Sequence, residues 1–321
     1  MPEVWLAYGD SEVILDIKYE NILDDVRPQF PILDNMSLYL ELENKLKLKN
    51  SNLIINFSPF YHMMPILKYI QDESKKQDAK VEIISTSKYI PFKYKKVLSD
   101  YGIQINRIDN KEILNKIKSF DKTIIIEKIE FDPFFGYKVP CSELTRACFS
   151  NDMDQAYSSI IDKLPQPGII TEALNIATEK SKTINFESIN VVANNEGINS
   201  INIGEAEESS RKTIEKFNTI SKTTSEKSKS VFISGNSNFN IQANLSNSLN
   251  LLWNNFDATK ESGIIILLSE NKYGVGNGAL LHFIESRLDQ SGAKKYQYIK
   301  DLEHINYLNQ IKDKFDLNSI S

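Results

Sequence analysis

The chain has 321 residues, 41% hydrophobic and 25% charged, the composition of a folded protein; this excludes a chain disordered throughout and a collagen-like repeat. With 38 Lys and Arg against 43 Asp and Glu, its net charge is −5, and no nucleic-acid partner is expected, because phosphate neutralisation needs clustered positive charge. Two cysteines, Cys141 and Cys148, cannot build a disulfide scaffold, and three histidines, His62, His282 and His304, lie too far apart for an HxxxH or HExxH metal motif. The apolar runs fall well short of the roughly 20 residues of a membrane span, and Met1-Pro-Glu-Val-Trp5 lacks the pattern of a signal peptide. The expectation is a soluble, cytoplasmic protein with no membrane contact. At roughly 150 residues per domain the length suits two domains or one large one.

In chain order, Val4–Asp10 and Ser11–Asp16 read as two strands around a Gly-Asp turn. Leu53–Phe57 is a continuous apolar run, the pattern of a buried parallel strand, and Met63–Asp72 follows with helical spacing of Met64, Ile66, Leu67 and Ile70. Val81–Ser85 and Ile103–Ile105 read as strands, Phe92–Asp100 and Lys111–Ser119 as helices, and Thr123–Ile126 as a further strand. Asp132–Pro140, rich in Pro, Gly and aromatics, reads as a loop, and Cys141–Leu164 as largely helical. A break at Leu164-Pro-Gln-Pro-Gly168 precedes a helix from Thr171, its candidate N-cap, to Lys180. Ile189–Ala193 and Ile198–Ile203 form a hairpin, and Glu205–Thr219 is a charged helix.

Ser221–Ser230 has no apolar residue and reads as a linker, which places a domain boundary at 222/223 between residues 1–222 and 223–321. Beyond it, Val231–Ser234 and Gly263–Leu268 read as strands, while Leu245–Asn255, Leu280–Leu288 and Glu303–Phe315 read as helices. Strands alternating with helices predict an α/β fold: two α/β domains with mostly parallel sheets and a cleft between them.

Five features carry candidate chemistry. Gly274-Val-Gly-Asn-Gly278 lies between a strand and a helix, where backbone N–H groups suit an anion; it reads more readily as a tight strand-to-helix turn, and it is neither GxGxxG nor a Walker motif. His62 follows the Leu53–Phe57 strand at the end where open sheets bind ligands, yet it is flanked by Tyr61 and Met63 as a core residue would be. Asp132, in Phe131-Asp-Pro-Phe-Phe135, is either a base in an aromatic setting or the opener of a turn. Lys138 would join His62 and Asp132 in a polar cleft. Cys141 and Cys148 read as packing residues more readily than as nucleophiles.

Taken together, Leu6-Ala-Tyr-Gly-Asp10, Glu12–Asp16, Ser85-Thr-Ser-Lys88, Ile129-Glu-Phe-Asp132 with Gly136, Asn190–Asn194, Gly204-Glu-Ala206, Ile233-Ser-Gly235, Gly263–Leu267 and Gly274-Val-Gly276 run collinearly along the chain. In this order they resemble the nickel-pincer-dependent lactate racemase family, an isomerase family. The resemblance implies two α/β domains around a nickel ion held by a pincer built from a pyridinium nucleotide and tethered to a lysine. It also implies one nickel-binding histidine, two proton-transfer histidines, and hydride abstraction and return as the chemistry.

The residues that would perform that chemistry do not carry over. Ser87 stands at one proton-transfer position and Asp132 at the other; Ser142 stands at the tether, and the metal histidine would fall near Ser158. The family's Asp-x-x-Arg-Pro becomes Phe57-Ser-Pro-Phe-Tyr61, and its second-domain substrate contacts fall near Leu245 and Ser248. The expectation is a catalytically degenerate, lactate-racemase-like protein, a pseudoenzyme with no metal and no cofactor. Its expected partner is a small anionic molecule contacting His62, Lys88, Lys138, Gly274 and Gly276, with Asp132 as the candidate catalytic residue. Two alternatives stand beside it: an active 2-hydroxyacid racemase using substitute residues, and a non-catalytic regulatory scaffold. A cleft with polar groups around His62, Asp132 and Lys138 favours a ligand site; one filled by Phe57, Phe60, Phe131, Phe134 and Phe135 favours a scaffold.

Overall fold

The apolar runs around Leu53, Ile84 and Ile125 form the middle of a six-stranded sheet. The structure, a computed structural model, describes residues 3–311 except 9–10, 25, 27–30, 88–91, 195, 223–225, 236–243, 277 and 286–296. A hairpin of β1 (Glu3–Tyr8) and β2 (Ser11–Asp16) comes first. Then follow α1 (Asn35–Lys45), β3 (Ser51–Asn56), α2 (Met64–Lys76), β4 (Lys80–Ser85), α3 (Phe92–Asp100), β5 (Ile105–Arg107), α4 (Asn110–Lys118) and β6 (Lys122–Lys128). A short hairpin, β7 (Glu130–Asp132) and β8 (Gly136–Lys138), leads into α5 (Pro140–Cys148), α6 (Ser150–Ser158) and α7 (Glu172–Ser181). β9 (Glu187–Ala193), β10 (Ile198–Glu205) and α8 (Ala206–Ser221) follow; then β11 (Ser228–Ser234), α9 (Leu245–Asn255), β12 (Thr259–Leu268), α10 (Ala279–Ile284) and α11 (Leu302–Ile311).

The sheet order is β10-β9-β6-β3-β4-β5, parallel throughout except for the β9–β10 hairpin. The chain runs outward from β3 through β4 to β5 and returns to the other side of β3 as β6, so the strand order reverses at β3. Leu53 and Ile55 enter one core and Ile54 the other, all fully buried. That two-sided burial is why the strand reads as an unbroken apolar run. On one face Leu42, Met64, Ile70 and Leu98 from α1–α3 cover the sheet. On the other, Ile113, Leu144, Tyr157 and Ile214 share a core with Leu249, Trp253, Ile305 and Tyr307 from α9 and α11. β11 and β12 pair parallel in a sheet of their own.

Thr171 caps α7 as its position predicts, its hydroxyl accepting from the Leu174 N–H at 3.2 Å. Three local expectations need correction, and one helix has no counterpart in the sequence pattern. Asp132–Pro140 is the β7–β8 hairpin rather than a loop, because Asp132 closes its turn. The helix expected over Cys141–Leu164 is divided into α5 and α6 at Phe149, which leaves helical geometry. The strand expected at Ile103 starts at Ile105, because the Ile103 N–H is taken by the Leu98 carbonyl at the end of α3. α1 escapes the sequence pattern because exposed Met36 and Leu40 blur the stripe made by Leu38 and Leu42. The helix expected over Leu280–Leu288 spans Ala279–Ile284, and residues 286–288 lie outside the described residues, as do 312–315 of the last one.

Ile305 is fully buried where α11 meets the core of α5–α7. Ile305→Ala should lower unfolding free energy by about 2–5 kcal/mol, read as a shift in the urea midpoint at unchanged slope.

Candidate functional site

At the carboxyl end of β6, Glu127 is fully buried. Its Oε1 accepts the backbone N–H groups of Phe57 at 2.6 Å and Ser58 at 3.3 Å, just past the end of β3. Its Oε2 lies 3.9 Å from the Lys138 ammonium and accepts no hydrogen bond. Lys138 is 3.3 Å from Glu130, which also receives Lys128 at 2.8 Å. The two carboxyl groups diverge. Burial pushes Glu127 up to about 8 against the pull of Lys138, whereas at Glu130 burial is outweighed by Lys128 and Lys138, which hold it at about 2. Burial opposes the charge of Lys138, but Glu130 and Glu127 outweigh it and raise its pKa, so the amine stays an ammonium.

Asp132 has both oxygens engaged. Oδ1 accepts from the Phe134 and Phe135 N–H groups, each at 2.8 Å, and Oδ2 receives the Arg146 guanidinium at 2.9 Å. Arg146, on α5, also donates to Glu303 of α11 at 3.0 Å and lies 3.8 Å from Glu143. Its guanidinium sits over the rings of Phe134 and Phe135, 5.5 and 5.0 Å from their centroids. A neighbouring pair is made by Trp253, whose indole N–H donates to Nδ1 of buried His304 at 2.8 Å; in the neutral imidazole the proton then sits on Nε2.

Glu130, Asp132, Lys138, Glu143, Arg146, Glu303 and His304 border an open cavity of about 2440 Å³, and Glu127 lies behind that wall rather than in it. Its wall includes Phe57 and Ser58 after β3, Thr86 and Ser87 after β4, Asp132, Lys138, Glu143 and Arg146, and Val231–Ser234 of β11. Asn254, Asp301, Glu303 and His304 complete the far side. The carboxyl ends of parallel strands are where open α/β sheets place ligands. Three wall acceptors, Asn254 Oδ1, Asp301 Oδ2 and Glu303 Oε2, are buried without a donor.

Of the residues expected from sequence, Asp132, Lys138 and Gly276 reach this wall. His62 and Gly274 are not among its described lining residues; His62 packs edge-on against Tyr61 with centroids 5.4 Å apart. Lys88 lies outside the described residues. The glycine loop gives its carbonyls, those of Gly274 and Val275, to the N–H groups of Leu245 and Ser246 at the start of α9. Gly274 and Gly276 take φ of +75° and +105°, which favours glycine there. Of the five aromatics, Phe134 and Phe135 are in one core and Phe60 in the other, and only Phe57 and Phe131 border the cavity. Burial pushes Cys141 up to about 11 and Cys148 to about 12, which leaves no activated thiolate.

Ser142 is fully buried, and its hydroxyl both donates to the Val139 carbonyl at 2.8 Å and accepts the Val139 N–H at 2.9 Å. Ser158 is exposed on α6 and donates to the Asp154 carbonyl. Among the described residues no group of three or more His, Cys, Asp or Glu side chains is placed to hold a metal ion, and no helix is long and apolar enough to cross a membrane. Glu127, Arg146, Glu303 and His304 were not singled out by the sequence. Glu127 did carry a signal, as a carboxylate closing an otherwise apolar strand.

No family model matches the chain, and no curated protein matches its sequence. Its fold is similar to that of the lactate racemase apoprotein from Thermoanaerobacterium thermosaccharolyticum, with a TM-score of 0.74, 15% identity, and 98% of this chain and 87% of that chain covered. A Thermotoga maritima protein is also similar, with a TM-score of 0.52, 12% identity, and 75% and 72% covered. The chain has a lactate-racemase-like α/β fold.

Two outcomes follow for stability. Arg146→Met strands Asp132 and Glu303 as buried carboxylates without their cation and should cost about 3–5 kcal/mol in denaturant unfolding. Because Glu127 holds its proton up to about 8 in the folded state, the folded chain binds more protons than the unfolded chain above the ordinary carboxylate range. Stability through this group should therefore decline as pH rises from roughly 4.5 to 8. Glu127→Gln should flatten that slope in unfolding midpoints measured against pH.

Proposed function

We propose that this chain is a lactate-racemase-like protein without the nickel-pincer machinery, a pseudoenzyme towards racemisation that binds a small molecule in the cavity. The observation that carries this reading is Ser142: the residue at the tether position has no amine, and its hydroxyl is closed onto Val139 in the first turn of α5. The nearby amine, Lys138, is held as an ammonium by Glu130 and Glu127 and is no nucleophile. The donor set also does not fit nickel, which needs imidazole or soft ligands. Asp132 could act as a base only by releasing Arg146 or the two turn amides, which argues against a racemase working through substitute residues.

The ligand we propose is a small anion that also carries hydrogen-bond donors, of the hydroxy-acid or amino-acid class. Lys138 and Arg146 keep positive charge in the wall, and the unpaired acceptors of Asn254, Asp301 and Glu303 suit the ligand's hydroxyl or ammonium. In this reading the protein works in the cytoplasm without nucleic acid or membrane, and its two domains, 1–222 and 223–321, enclose the cavity.

Co-expression with the cofactor-building enzymes should leave the intact mass unchanged and yield no stoichiometric nickel. D/L-lactate interconversion should stay at background, since each missing proton-transfer group typically supplies ~10²–10⁴-fold. A mass increase matching the pincer, or turnover lost in Asp132→Ala, would restore the racemase. Calorimetric titration with a panel of 2-hydroxy and 2-amino acids should find saturable binding that Asn254→Leu weakens at least tenfold; no binding across the panel would refute the ligand class.

A further inference from the structure

We propose that Glu127 is an internal occupant of an anion-binding crevice, filling with its own carboxyl group the place that would otherwise take the carboxylate or phosphate of a ligand. The strand order reverses at β3, and the crevice between the carboxyl ends of β3 and β6 is where sheets of this kind bind ligands. There, two consecutive backbone N–H groups, those of Phe57 and Ser58, converge on one oxygen at 2.6 and 3.3 Å, the arrangement by which a backbone recognises an anion. The Lys138 ammonium stands 3.9 Å from the other oxygen. Two amides and a cation thus surround a carboxyl group, and that group belongs to the chain itself.

Glu127 follows Ile124, Ile125 and Ile126 in β6, is fully buried, and leaves Oε2 without a hydrogen bond, an arrangement that costs free energy. What it supplies is an acceptor for two amides that an apolar residue would leave unpaired. Oε1 can accept from both whether the group is ionised or protonated, so the crevice is filled in either state. Phe57, Ser58 and Lys138 all border the cavity, so the crevice opens onto it. Glu127 is therefore a specificity residue. It excludes ligands that would anchor a phosphate or carboxylate on these amides and admits those held by the rest of the wall. This holds whichever small molecule the cavity takes, so the anion experiment below and the ligand titration can fail independently.

Glu127→Ala deletes a CH2–COO fragment, the size of acetate. Acetate and inorganic phosphate, each compared with chloride at equal ionic strength, should raise the melting temperature of Glu127→Ala saturably and leave the wild type unmoved. A response to acetate alone limits the crevice to carboxylates, and a response to both extends it to phosphate. Adding Lys138→Met should weaken either response at least tenfold. Glu127→Gln, which keeps an oxygen for both amides, should ignore acetate as the wild type does. A folded Glu127→Ala protein that responds to neither anion overturns the proposal, as does a wild type stabilised by phosphate to the same extent. If Glu127→Ala does not fold in chloride, refolding in acetate supports the proposal, and failure in both sinks it.

Discussion

Arg146 joins parts of the chain that are far apart in sequence. From the last turn of α5 it reaches Asp132 at the turn of the β7–β8 hairpin and Glu303 at the start of α11, at 2.9 and 3.0 Å. Asp132 in turn gathers the N–H groups of Phe134 and Phe135, whose rings lie under the same guanidinium. One planar cation therefore fixes the hairpin turn, the aromatic pair behind it and the last described helix, a task suited to arginine because its fork binds several acceptors and stacks on rings. The carboxylates it neutralises are mostly buried, so each depends on the others; buried ion pairs hold geometry more than they add stability.

Beside this cluster the same residue type is used in opposite ways. Glu127, at the end of β6, and Glu130, at the start of β7, lie three positions apart and share Lys138. Glu130 meets two ammonium groups and is held far down its titration range, whereas Glu127 sits deeper with one distant ammonium and two amides and is driven up. Environment, not residue identity, assigns the charge. The outcome at the strand end is a wall that carries ion pairs toward the cavity and a neutralised or paired acid behind it.

The lactate-racemase-like fold and the chemistry of its strand ends separate cleanly in this chain. The sheet, its reversal at β3 and the cavity at its carboxyl edge are properties of the fold, while that edge carries a set of serines and a turn-forming aspartate, with a buried glutamate behind them. A fold of this type positions groups at strand ends without dictating which groups they are. Ser142 illustrates this: a residue at the start of α5 has become part of that helix's own hydrogen bonding.

The sequence by itself determined the α/β alternation, because strands covered on both faces must be apolar at every position, as Leu53–Ile55 and Ile124–Ile126 are. It also determined the Thr171 cap, the β9–β10 hairpin and α9, since these rest on contacts within a few residues. The collinear motifs pointed to the fold. Only the tertiary structure decided which polar residues meet. Arg146 and Glu303 are 157 positions apart, and Glu127 and Phe57 are 70 apart, so no local pattern pairs them. His62 follows a strand and packs on Tyr61, while His304, on a helix near the end of the chain, borders the cavity. Short-range hydrogen bonding and side-chain periodicity are written in neighbouring residues. The partners of a buried charge are set by which strand ends and helices the fold brings together.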